Sequence, residues 1–384
     1  MRYFRYIFVT IYNKLGSFFI AMEYYRIVKS ISIPVMKPKL PSLDLVANFI
    51  KEMDEYQIYS NRGPMLIQAE EKMAKFLNVN PANLLFCSSA TQGLSALAAI
   101  SNVRGYFVPD YSFLASPLSV LNANKAMEIC DVDDEFRIDL SKLGNATDFG
   151  LFDVLPFGDN SLLSKDYLLF EDVIVDAAAS LVNLANKLTN IPENISIVFS
   201  LHATKVMGIG EGGLVYSSNV KKLNKLRKYI NFGFGENRSP ETLGTNGKLG
   251  EISACYILAN LINWPNEKYE WEKVDDLIFA AQNRLGIPDI TIKSRGINPY
   301  WIIDADNLEK RNALVSDLSE SGIGSRVWWQ SFHKIDYFQP YINKTGYEKS
   351  LRFHESHLGL PKFKGMEENQ VNQIFQILSR FFKI

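Results

Sequence analysis

Lys205 stands five residues after Ser200 in the run Phe199-Ser-Leu-His-Ala-Thr-Lys-Val-Met-Gly-Ile-Gly-Glu-Gly-Gly213. A primary amine held at the edge of a glycine-rich turn can form a Schiff base with an aldehyde cofactor, although most lysines are solvated surface residues. Gly208, Gly210 and Gly213 also satisfy G-x-G-x-x-G. That dinucleotide fingerprint needs a strand before it and a helix directly after it. Leu214-Val-Tyr216 reads instead as a strand, so no dinucleotide loop is expected.

A second chemical group is the carboxylate in Val173-Ile-Val-Asp176-Ala-Ala-Ala-Ser180. Three β-branched residues place Asp176 at the C-terminal end of a buried strand, where open α/β sheets collect their active sites. A carboxylate at that depth is costly without a cation. A protonated pyridine nitrogen would serve as one, and capping a helix is the other reading. Cys87-Ser-Ser-Ala-Thr-Gln-Gly-Leu-Ser-Ala96 passes from strand to helix through small and hydroxyl residues. Amides at such a helix opening can cradle a phosphate, with Thr91 adding its hydroxyl, although the same residues also serve as ordinary caps. Pro109-Asp-Tyr-Ser-Phe113-Leu-Ala-Ser116 sets aromatics directly after a strand, where Phe113 can stack on a flat ring or join the core.

These groups need elements to hold them, and the periodicity supplies an alternating series. Leu66 to Leu77 is helical, with Glu70, Glu71 and Lys72 facing outward. Asn83–Cys87, Tyr106–Pro109, Ala126–Val132, Phe149–Leu155, Val173–Asp176, Ile195–Ser200 and Leu214–Tyr216 read as strands. Gln92–Ile100, Ser116–Asn124, Asn219–Ile230, Leu249–Leu261 and Glu367–Phe382 read as helices. Strands alternating with helices imply an α/β fold with a mainly parallel sheet. The expected division is an N-terminal extension over 1–32, a large domain over 33–265 and a smaller C-terminal α/β domain over 266–384.

Composition narrows the function class. Apolar residues make up 47% and charged residues 22% of 384, a folding composition rather than a disordered one. A net charge of −1 gives no basic surplus for nucleic acid or an anionic membrane. Cys87, Cys130 and Cys255 are far apart, and His354 and His357 are the one close histidine pair, so no metal centre is expected. Low cysteine usage suits a reducing, cytoplasmic location. Met1 to Ala21 is apolar in patches but broken by Tyr12-Asn13-Lys14, and reads as an extension upstream of a start at Met22 rather than a signal peptide or membrane span. The sequons at Asn145, Asn194, Asn237 and Asn343 are then chance matches.

In combination these motifs resemble the sugar-nucleotide aminotransferases of the DegT/DnrJ/StrS family, with the fold-type I aminotransferase architecture. The resemblance runs from Ile33-Pro-Val-Met-Lys-Pro38 to the C-terminus. It includes Ser60-Asn-Arg-Gly-Pro64, Ser88-Ser-Ala-Thr91, Asp176-Ala-Ala, Ser200-Leu-His-Ala-Thr-Lys205, Gly210-Glu-Gly-Gly213 and Gly244-Thr-Asn-Gly-Lys-Leu-Gly-Glu251. It implies pyridoxal 5'-phosphate as cofactor, held covalently by Lys205, with Asp176 on the pyridine nitrogen. Ala90, Thr91 and Ser200 would hold the phosphate, Phe113 would stack on the ring, and Asn246 would reach the phosphate of a neighbouring subunit in a homodimer. His333, in Trp328-Trp-Gln-Ser-Phe-His333, matches a substrate-side histidine. Ala179 departs from the family, which commonly has Gln or His there. A neighbouring polar residue or water would fill the gap.

The activity implied is transfer of an amino group from an amino acid, glutamate by analogy, to a nucleotide-linked keto-deoxy sugar for surface-polysaccharide (O-antigen) synthesis. A dTDP-4-keto-6-deoxyhexose is the expected acceptor; a 3-keto sugar or a UDP-sugar is the alternative. Dehydratases of the family replace the lysine with histidine, so Lys205 argues against them. A non-catalytic cofactor-binding relative should have lost Lys205 or Asp176, and neither is lost.

Overall fold

The computed structural model describes residues 31–382 apart from 145–147, 162–163, 236, 288–295 and 344–345. The expected extension before residue 31, the start at Met22 and the sequon at Asn145 lie outside the described residues.

Strands β1 (Leu84–Cys87), β2 (Gly105–Pro109), β3 (Ala126–Cys130), β4 (Phe149–Val154), β5 (Val173–Asp176), β6 (Ile195–Ser200) and β7 (Gly213–Ser217) form one sheet in the order β1-β7-β6-β5-β4-β2-β3. Only β7 runs antiparallel to its neighbours, β1 and β6. The other pairings are parallel. Both faces of such a sheet are covered, which is why its strands are continuous apolar runs rather than alternating ones. In β5, Val173 and Val175 enter one core while Ile174 enters the other.

Helices α1 (Leu43–Tyr56), α2 (Pro64–Leu77), α3 (Ala90–Ile100), α4 (Ala115–Asn122) and α5 (Val220–Tyr229) surround this sheet. Helix α6 (Glu251–Leu285) begins against it and carries Val274, Ile278 and Ala281 into a separate core. That core also holds Trp301 and Ile303 of β8 (Trp301–Asp304), Leu358 and Leu360 of β9 (His357–Leu360), and apolar residues of α7 (Leu308–Glu320) and α9 (Glu368–Phe382). Helix α8 (Glu348–Ser356) leads directly into β9. Among the described residues no helix is long and apolar enough to cross a membrane.

Two local expectations are corrected. The helix expected over Leu249–Leu261 continues to Leu285, through Pro265 and across the expected division at 265/266. An interior proline costs a helix about 3 kcal/mol. Burial on both sides of it, with Leu258 and Ala259 before and Trp271 and Val274 after, carries the helix over that local break. Glu70 does not face outward: it is 3% exposed and accepts from the Arg62 guanidinium at 2.8 Å. Helical period shows only which face a residue occupies, and an arginine arriving from a loop changed what that face could bury.

Two of the sequence motifs turn out to meet each other. Glu251 is fully buried, and its carboxylate accepts from the amides of Gly63 at 2.8 Å, Met65 at 2.8 Å and Leu66 at 3.2 Å. It therefore satisfies the orphan N–H groups at the start of α2, where helix dipole and donors favour an anion.

Candidate active site

The parallel strands end on one edge of the sheet, and the chemical groups gather there. Asp176 ends β5 and Ser200 ends β6. Gly213, at the start of the reversed strand β7, pairs with both Ser200 and Cys87. A Cβ at Gly213 would lie 2.5 Å from the Ser89 carbonyl carbon and 2.6 Å from the Ala90 nitrogen. Only glycine lets β7 pass that close to the opening of α3. Ser89 caps this helix by accepting from Gln92 N–H at 3.1 Å. The amides of Ala90 and Thr91 have no carbonyl a turn behind them, the arrangement in which a helix opening can hold an anion.

Lys205 follows β6 in a tight turn. Its amide donates to His202 O at 2.8 Å, and Ala203 N–H donates to Gly210 O at 2.8 Å. Gly210 has φ +107°, a conformation that L side chains rarely adopt, although a Cβ there would meet nothing within 4 Å. The turn therefore needs glycine for backbone reasons, and β7 follows where a dinucleotide motif would have a helix. The Lys205 amine donates to the Tyr300 hydroxyl at 2.7 Å.

Asp176 is 5% exposed. Its Oδ2 accepts from the Ser116 hydroxyl at 2.8 Å and its Oδ1 from Ala178 N–H at 3.1 Å. Burial pushes its carboxyl above the ordinary value, opposed by these two hydrogen bonds and by the Lys205 charge. An anion that burial still disfavours is a site prepared for a cation.

These groups line one cavity of about 420 Å³, within the usual range for small-molecule sites. Six of the residues expected to hold the cofactor border it: Ala90, Thr91, Phe113, Asp176, Ser200 and Lys205. The set matches a ligand that carries an aldehyde, a protonatable ring nitrogen and a phosphate. Residues 171–379 match the DegT/DnrJ/EryC1/StrS aminotransferase family, more than half of the chain. The chain belongs to that family.

Its relatives act on different sugar nucleotides. A UDP-4-amino-4,6-dideoxy-N-acetyl-beta-L-altrosamine transaminase of Campylobacter jejuni is 23% identical over 84% of this chain and 92% of its own length. A dTDP-4-amino-4,6-dideoxy-D-glucose transaminase of Escherichia coli is 26% identical over 70% of this chain and 74% of its own. The fold is that of DesI, solved in the presence of its TDP-sugar product. That likeness has a TM-score of 0.76 at 21% identity, covering 90% of this chain and 92% of DesI.

Two expected site residues of this family member stand apart from the cavity. Asn246 is exposed, and its side-chain oxygen accepts from the Lys248 amine at 2.8 Å. His333 Nδ1 lies 2.6 Å from Asp110 Oδ2, and its ring stacks on Tyr347 at 4.8 Å. Neither borders the cavity of its own chain. Ala179 does border it, in an aromatic cluster with Phe157, Tyr300 and Trp328.

Several lining residues carried no sequence signal of their own. Tyr300 precedes β8, 95 positions from Lys205, with no spacing to reveal it. Trp329 stacks on Phe157 at 4.7 Å with an 8° interplanar angle, and Arg326 lies over the Trp328 ring at 4.4 Å. His202 accepts at Nδ1 from Thr204 N–H at 3.3 Å, which leaves its Nε2 3.7 Å from Glu211.

Proposed function

We propose that the protein transfers an amino group from an amino acid to a keto carbon of a nucleotide-linked deoxy sugar, with pyridoxal 5'-phosphate as cofactor. The observation that carries this reading is Lys205 and the buried Asp176 bordering one cavity, with the opening of α3 on its wall. When bound, the cofactor supplies an aldehyde for the amino group and an electron sink for the reacting carbon.

The chain supplies the remainder. Lys205 holds the cofactor covalently, and its freed amine takes the α-proton of the amino donor and later returns a proton to the sugar carbon. Asp176 keeps a ring nitrogen protonated, because a charged partner removes the penalty that burial places on its own charge. Ala90, Thr91 and Ser200 bind the phosphate. Phe113, 54% exposed at the cavity wall, covers the ring. His333 is a substrate-side candidate on the family resemblance alone, since its ring, held by Asp110, does not border the cavity.

The finer reading is a dTDP-4-keto-6-deoxyhexose acceptor and a glutamate donor, in a cytoplasmic route to a surface polysaccharide. The thymidine-linked relative and the burial of three free cysteines are in keeping with it. A homodimer with shared sites accounts for Asn246, which would serve the partner's phosphate. Tyr56, Tyr59, Leu243 and Ile252 are 53%, 49%, 79% and 55% exposed, apolar surface of the kind that subunit contacts cover.

The test is a substrate panel on purified protein loaded with pyridoxal phosphate. The protein should show a visible absorbance band that glutamate bleaches, and one keto sugar among thymidine- and uridine-linked acceptors should restore it. Product NMR then reads whether the amine sits at C3 or C4. Failure to take up the cofactor, or a band indifferent to every amino donor, would sink the assignment.

A further inference from the structure

The hydrogen bond from the Lys205 amine to the Tyr300 hydroxyl, 2.7 Å long, joins two remote parts of the chain. Lys205 belongs to the turn after β6, while Tyr300 directly precedes β8 of the smaller sheet. Tyr300 has little freedom of its own. Its amide donates to Asn298 Oδ1 at 2.8 Å, and Asn298 is fully buried. Its ring is 7% exposed and meets Trp328 edge-on at 5.4 Å and Phe157 at 5.7 Å. A ring clamped on both sides leaves its hydroxyl a single direction, toward the amine. Lys205, by contrast, has a long flexible stem, and its Nζ lies 5.4 Å from the centre of the same ring. A mobile amine beside a fixed phenol takes its position from the phenol.

We infer that Tyr300 is a positioning residue for Lys205, its hydroxyl being the dock at which the free amine is held inside the cavity. This rests on the reading that Lys205 carries the proton transfers. A group that must take and return a proton at one carbon gains rate from being held near it, and displacement by an ångström costs rate steeply. The dock also makes the aim of Lys205 depend on the C-terminal third of the chain, so that packing around Trp328 bears on the turn after β6. No covalent step is assigned to Tyr300.

The decisive measurement uses cofactor-free protein. Acetic anhydride is allowed to compete for amines, and acetylation of Lys205 is read by peptide mass spectrometry against exposed Lys221 across a pH series. Tyr300→Phe keeps the ring and its packing and removes only the hydroxyl. Whether the phenol accepts from the ammonium or donates to the neutral amine, its loss frees the nitrogen. Lys205 should label about 5-fold faster relative to Lys221, the factor expected for one net hydrogen bond. In loaded enzyme the same variant should lose about 10-fold in kcat with the KM for the nucleotide sugar unchanged. Site-specific 3-fluorotyrosine at 300 gives a second arm that leaves packing intact. A more acidic phenol is a stronger donor and a weaker acceptor, so the pH midpoint of Lys205 labelling should move down, which a packing role would not cause.

An unchanged labelling ratio overturns the inference whatever happens to turnover, and faster labelling with an unchanged kcat overturns it as well. Faster labelling in a protein that transfers no amino group under any condition would leave the dock standing and remove the proposed activity instead.

Discussion

The Ser116 hydroxyl donates to Asp176 Oδ2 across 2.8 Å, tying the start of α4 to the end of β5. It is one of the groups that counter the effect of burial on that carboxyl. Ser116→Ala should therefore weaken pyridoxal phosphate binding by about 10-fold, since a hydrogen bond to a charged group contributes about 1.5 kcal/mol or more. Titration of apoprotein with cofactor, followed by absorbance, measures it; equal affinity in the two proteins would mean the carboxylate does not face the bound ring.

Asp176 also links stability to pH. Burial raises its carboxyl in the folded protein, so the cofactor-free fold holds this proton more tightly than the unfolded chain does. The resulting stabilisation is present below the ordinary value of 3.8 and is lost as pH rises through the higher folded value. At about pH 7 the ionised carboxylate therefore burdens the empty fold. Asp176→Asn should melt at a higher temperature than wild type there without cofactor, and the gain should vanish near about pH 3. With cofactor bound the order should reverse. A variant less stable than wild type at both pH values without cofactor would contradict the account.

Glu251 lies in a family motif, yet its contacts are structural. Glu251→Ala would strand three amides at the start of α2 in a buried place and should cost about 3 kcal/mol. The urea midpoint should fall accordingly, with cofactor affinity nearly unchanged in protein that remains folded. Lost cofactor binding without lost stability would return the residue to the site.

Ala179 borders the cavity within a cluster of aromatic side chains. Ala179→Gln inserts a longer side chain into the cluster of Phe157, Tyr300 and Trp328 and should destabilise the protein by about 1–3 kcal/mol. Cofactor affinity and turnover should fall with it. If denaturation and turnover both match wild type, the position is not beside the ring.

Much of the scaffold was legible because parallel strands buried on both faces are rich in apolar runs, and Val173–Val175 and Ile197–Phe199 are written that way. The expected residues that border the cavity were legible where a local motif held them: Lys205 in its glycine turn, Asp176 at a strand end, Ala90 and Thr91 at a helix opening. The course of α6 was not, because Pro265 is a real local break that only distant packing overrides. Glu70 misled for a related reason, since its partner Arg62 arrives from a loop.

Taken alone, then, the order of residue types determined the alternation of strands and helices, the family, and the groups at each strand end. These depend on neighbours within a few positions, where propensity, turn chemistry and burial period act. Only the folded chain decided that Glu251 serves the start of α2, that Phe157 and Trp329 stack at the cavity wall, and that Tyr300 meets the amine of Lys205. Such contacts join segments distant in sequence. Their free energy comes from packing that exists only once the sheet and the smaller core are assembled, so no local spacing encodes them.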